Sequence, residues 1–181
     1  MHPTRGSAPD LRVRRFLDRL YALAAALAAV GLVGTLAMVL TAIAGRLLNF
    51  HVPGTDAYAG YAMAASGFLA LASTFRRGEH IRVTLLADRL TGARRRALEL
   101  WALGAALLLA ALFAWFSARL VWQSWQFNDI STANDATPLW IPQLLMAFGT
   151  LVLLVAIADE LVAELRGKRV RAVPAEALRN E

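Results

Sequence analysis

Charged residues are missing from four long windows of the chain, bounded by Arg19 and Arg46, Asp56 and Arg76, Glu99 and Arg119, and Asp135 and Asp159. Each window is close to the length of the roughly 20-residue apolar helix that crosses a bilayer. The pattern predicts an all-α integral membrane protein with four transmembrane helices, at about 20–45, 57–75, 99–121 and 139–158. A secretory signal peptide is not expected at the first window, because its apolar core would be only about 7–15 residues long and would end at a small-residue cleavage site. The first helix is therefore expected to remain as an anchor, and residues 20–165 to form a single four-helix membrane domain.

Basic residues fix the expected sidedness, since Lys and Arg flanking a span stay in the cytoplasm during insertion. Of the 19 basic residues, five lie in the N-terminal tail 1–19, seven in the middle segment 76–97 and five in the tail 166–181, while the two remaining connections hold only Arg46 and Arg119. That alternation predicts both termini and the middle loop inside. Aromatic residues agree with interfacial belts. Trp122, Trp125 and Trp140 mark the outer ends of the third and fourth helices, Tyr58 that of the second, and Tyr21 and Trp101 mark inner ends. Trp115 lies deeper and suits packing or lipid contact.

The middle segment reads RRGEHIRVTLLADRL before Thr91 and Gly92. Ile81, Leu85 and Leu86 recur at helical spacing, with Val83 and Leu90 continuing the stripe and Arg82 and Arg89 reaching toward headgroups. A short interfacial amphipathic helix is expected here, between helices two and three, ending near Gly92. A solvated extension of helix two is the alternative. Arg76, Arg77, Arg94, Arg95 and Arg96 are candidates for anchoring to the membrane surface, each worth about 1 kcal/mol beside anionic lipid. In the outer connections, Pro53-Gly54 predicts a tight turn between antiparallel neighbours. The segment 121–137 either continues helix three or lies along the surface. Pro142 fits the first turn of helix four, where its missing N–H costs no hydrogen bond. The tail 166–181 mixes both charges without an apolar stripe and is expected to be mobile.

Composition narrows the chemistry. Hydrophobic residues make up 58% of the chain and charged ones 18%, against about 45–50% and about 25% in soluble domains. The absence of Cys excludes disulfides, thiol redox chemistry and thiolate metal ligands. The net charge of +6 is explained by topology rather than by nucleic-acid binding. Proton relays and ion paths need ionisable groups at depth, and the four windows have none, which argues against a drug–proton exchanger. A haem cytochrome would need paired histidines on facing helices; His2, His51 and His80 fall in a tail and two loops. No catalytic constellation is found, Glu79-His80 suiting a solvated or headgroup-facing pair, and neither enzymatic activity nor a cofactor is expected. The polar residues within the windows, Thr35, Thr41, Ser66, Ser73, Thr74, Ser117 and Thr150, are expected to bond to their own helix backbone. Gly31 with Thr35, and Gly60 with Ala64 and Gly67, are candidates for close helix approach.

Three strings resemble the small membrane subunit of TRAP transporters (tripartite ATP-independent periplasmic transporters, DctQ type). PGTDAYAGYAMAASGFLALASTF looks like that family's start of helix two. RRGEHIRVTLLADRL is similar to its Gly-x-His-Ile-x-Val motif, here Gly78, His80, Ile81, Arg82 and Val83. ATPLWIPQLLMAFGT resembles its proline-tryptophan-proline start of helix four, here Pro138, Trp140 and Pro142. The chain departs from the pattern at Thr84, where many members carry an acidic residue. The resemblance covers about residues 12–165 and implies a bacterial inner-membrane protein that is not itself the transporter. A periplasmic binding protein would deliver an organic anion to a large permease subunit driven by a sodium gradient, and this chain would scaffold that subunit. Asp56, Tyr58, Trp122 and Trp125 are the candidate outer-face residues for docking the binding protein. The alternatives are a self-contained small homo-oligomeric transporter and a membrane anchor of another complex.

Overall fold

The computed structural model describes residues 8–50, 52–77 and 92–166, with side chains from 14 onward and not that of Arg77. Four helices account for nearly all of it: α1 (Ala8–Leu47), α2 (Thr55–Arg77), α3 (Ala93–Gln126) and α4 (Trp140–Leu165). At 1.5 Å per residue the 40 residues of α1 extend about 60 Å and the 34 of α3 about 51 Å. Both exceed a hydrocarbon layer of about 30 Å, so each projects beyond its charge-free window. The helical part of α1 starts at Ala8 rather than near Leu20, and α3 continues through Trp125, which decides between the two expectations for the segment after residue 121.

Three helices are long and apolar enough to cross a membrane, over Arg14–Leu47, Ala93–Gln126 and Trp140–Leu165. The 23 residues of α2 also give enough length, about 35 Å, but Tyr58, Gly60, Tyr61, Ser66, Gly67, Ser73 and Thr74 dilute its apolar content.

Packing runs in the order α1–α2–α4–α3: α2 packs along both α1 and α4, α3 packs along α4, and α1 only grazes α4. Helix α3 also reaches α2 through the Phe113 and Phe68 rings, centroids 5.7 Å apart, but among the described residues α1 and α3 do not pack together, so the helices do not close into a four-helix square. Helices α1 and α2 are neighbours, as the Pro53-Gly54 turn predicts. Tyr21, Ala24, Ala72, Val152 and Ala156 form one buried cluster and Ala28, Ala65 and Leu69 another. Both consist mostly of small side chains, which lets helix backbones approach without a hydrophobic drive between them. Large apolar side chains instead line the outside, including Leu23, Val30, Val33, Leu36 and Leu40 of α1 and Leu108, Leu109, Leu112 and Phe116 of α3. In water such a surface would aggregate; in lipid it is already solvated.

Helix α4 passes tightly over α2 at Gly149, where an added Cβ would lie 2.6 Å from the carbonyl carbon and oxygen of Phe68. Thr150 beside it is 1% exposed and donates to the Ala147 carbonyl at 2.9 Å. Gly31 of α1 packs on Ala62 and Ser66, as its spacing with Thr35 suggested, whereas nothing stands within 4 Å of the Cβ positions of Gly60 and Gly67.

Both helices that end at the loop-rich end stop in the same way. Asn49 (φ 54°) and Asn128 (φ 52°) take the left-handed conformation, and the next N–H turns back onto the last helical turn, Phe50 to the Gly45 carbonyl and Asp129 to the Ser124 carbonyl, each at 3.0 Å. This Schellman closure satisfies carbonyls that the helix end leaves open.

Candidate functional site

At the loop-rich end, the connection between α3 and α4 folds down onto the start of α2. An Ile130–Pro138 bridge and the bonds Ser131 N–H to Thr137 O and Leu139 N–H to Asp129 O, both 2.9 Å, shape it. Asp135 is its centre: one carboxylate oxygen accepts from Ser131 Oγ at 2.7 Å and the other from Tyr61 Oη at 3.1 Å. Thr137 Oγ1 lies 3.3 Å from Tyr58 Oη as donor, and the Tyr58 and Tyr61 rings meet edge to face with centroids 6.2 Å apart. Gly54 (φ 79°) is required beneath, because its Cβ would stand 2.7 Å from that of Asp135.

The Ser131 hydroxyl, helped by Thr137 and Tyr61 and opposed by partial desolvation, lowers the Asp135 pKa from its ordinary 3.8 to about 2. A depressed carboxyl contributes stability that is full above the ordinary value and is lost as pH falls through the folded one. Amide exchange at Ser131 and Leu139 is therefore expected to hold steady at neutral pH and to rise, relative to the unfolded-chain rate, between pH 3.8 and about 2. Asp135→Asn should bring the loosened loop to neutral pH; unchanged exchange in that variant would remove Asp135 from this role.

Of the expected outer-face residues, Asp56 lies in the first turn of α2, with Tyr58 two residues further along the same helix. Trp122 and Trp125 are exposed with ring centroids 5.4 Å apart. Pro138 closes the bridge, Trp140 is the first residue of α4, and Pro142 sits in its opening turn.

The opposite, basic end holds a second set of contacts. Arg76 Nη1 donates to Asp18 at 2.8 Å and its guanidinium lies 4.5 Å from the centre of the Tyr21 ring. At the start of α3, Arg95 donates to Glu99 at 3.2 Å and Arg96 to the carbonyl of Leu165, at the end of α4, at 3.4 Å. Arg94 is exposed. Three of the candidate anchoring arginines thus also tie helices together or brace one of them. Gly92 takes φ 62° just before α3, but the expected interfacial helix, with Gly78, His80, Ile81, Arg82 and Val83, lies outside the described residues, as do His51 and the tail from 167 onward.

Between the two ends the chemistry is sparse. Thr35, Thr41, Ser73, Thr74 and Thr150 donate to carbonyls three or four residues back in their own helices. Two residues depart from the expectation: Ser117 Oγ is buried without a partner, and Ser66, which packs against Gly31 of α1, makes no such backbone bond. No cluster of His, Asp or Glu suited to a metal is found among the described residues. What the fold defines is a helical membrane protein whose charged groups sit at its two ends.

A family model of the DctQ component of tripartite ATP-independent periplasmic transporters matches residues 35–167. The chain belongs to that family, a family of transporter components rather than of enzymes, and is a small permease subunit of the TRAP type. A search for similar curated proteins gave no match.

Proposed function

We propose that this chain crosses the bacterial inner membrane four times, with both termini inside, and scaffolds the large permease subunit of its transporter. In this reading the large subunit carries out sodium-gradient-driven uptake of an organic anion, and a periplasmic binding protein delivers it. Helix α2 crosses too, shielded on two sides by α1 and α4. The loop built on Asp135 then faces the periplasm, and Asp56, Tyr58, Trp122 and Trp125 surround the place where the binding protein docks. Arg76, Arg77, Arg94, Arg95 and Arg96 face the cytoplasm and hold the scaffold at the lipid surface.

One observation carries the reading: within a family of transporter components, this chain's apolar windows contain no Asp, Glu, His, Lys or Arg, and five of their hydroxyls are spent on their own backbone. Such helices stand still while another chain moves solute and cation. The tagged full chain, extracted in mild detergent, should bring down a many-helix membrane protein, and a soluble periplasmic protein when substrate is present. In liposomes the chain alone should be inert. Sodium-driven accumulation by the chain alone would establish a self-contained homo-oligomer instead, and capture of an unrelated membrane enzyme would make it an anchor of another complex.

A further inference from the structure

A cleft of ≈ 300 Å³ opens between α1 and α2 at the basic end, lined by Tyr21, Ala22 and Ala25 on one side and Ser73 and Arg76 on the other. Its level is set by the sequence. The first charge-free window begins at Leu20 and the second ends at Phe75, so Tyr21 and Arg76 both stand where charge first occurs beside apolar helix. In a bilayer that is the depth of glycerol and phosphate. We propose that the cleft holds the phosphate of an anionic phospholipid, with Arg76 as its ligand.

The cleft is divided in a way that suits an amphiphile and not a soluble anion. Ala22 and Ala25 give it a methyl-lined floor, while the guanidinium forms its charged wall. Asp18 takes one Nη1 hydrogen bond and the Tyr21 ring supports the guanidinium face, so the fork is fixed before any ligand arrives. A guanidinium has five N–H donors, which leaves donors for a phosphate in the paired geometry that arginine favours. Arg14, Arg15 and Arg19 are exposed on the turns of α1 beyond the cleft. They outnumber the acidic groups facing it, Asp18 and, across Tyr21, Asp159 of α4, and so favour a headgroup of net negative charge. The alanines leave room for the first acyl carbons between the helices.

This rests on the membrane topology proposed above and not on the transport role, so it is read on the purified full chain without partners. The chain is placed in phosphatidylcholine nanodiscs with phosphatidylglycerol titrated in, and retained lipid is counted by native mass spectrometry. Wild type should keep one phosphatidylglycerol in preference to phosphatidylcholine. Arg76→Gln should weaken it roughly tenfold, the worth of a charge-assisted hydrogen bond, and Arg76→Lys should fall between. Ala25→Leu should weaken it as much by filling the floor without changing charge, and Ala22→Val replaces it if that variant does not fold. Equal retention of the two lipids, or retention by either Arg76→Gln or the filled-cleft variant, would overturn the site; the second pattern with loss only on charge removal would mean a diffuse basic surface.

Discussion

Gly149→Leu is expected to abolish the folded four-helix arrangement, and Gly149→Ala to destabilise it by about 1–3 kcal/mol, the usual cost of overpacking. The reason is the identity of the atoms in the way. An alanine Cβ at 149 would stand 2.6 Å from the carbonyl carbon and oxygen of Phe68 and 3.0 Å from the N of Leu69, and backbone inside a helix cannot rotate aside as a side chain can. Relief requires α4 to move off α2, and that contact joins the α1–α2 pair to the α3–α4 pair. The control is Gly104→Ala in α3, where nothing lies within 4 Å and the better helix propensity of alanine makes the change neutral or favourable. Thermal unfolding of the purified chain, followed by circular dichroism, separates the two. Equal melting temperatures for Gly149→Ala and Gly104→Ala would mean that the crossing is not this close in the membrane.

That residue marks the limit of what the sequence makes legible. Charge-free windows reveal helices because burying an ion in lipid is costly whatever the fold, and the hydroxyls pair with their own backbones because that partner is always within reach. Helix order is a different kind of fact. Small residues at regular spacing point to Gly31, which does pack on α2, but equally to Gly60 and Gly67, whose Cβ positions are open. Gly149 has no such spacing partner: what it meets on α2 is the backbone of Phe68 and Leu69, and backbone leaves no mark in a sequence. The loop over α2 is similar. Asp135 and Tyr61 are 74 positions apart, and neither belongs to a local pattern. The asparagine stops were legible in principle, since Asn49 and Asn128 each follow an apolar helical run and asparagine tolerates the left-handed turn.

The absence of cysteine turns topology into an all-or-none measurement. With the two ends placed as proposed, Ala133→Cys in the loop after α3 is labelled by a membrane-impermeant maleimide in intact cells, whereas Ala93→Cys at the start of α3 is labelled only after the membrane is opened. Both positions are exposed, so failure to react reports the barrier and not burial. Neither side chain is an alanine packed in a helix crossing, so the thiol leaves the fold undisturbed. The physical basis is the distribution of 17 of the 19 basic residues over the two tails and the middle segment, which would have to cross the membrane against the insertion preference if the orientation were reversed. A third thiol at Asn49, after α1, tests α2 itself. If the less apolar α2 crosses, Asn49→Cys reacts from outside like Ala133→Cys while Ala93→Cys stays protected. If α2 instead lay along the surface with only three helices crossing, Asn49 and Ala93 would share one side and react together.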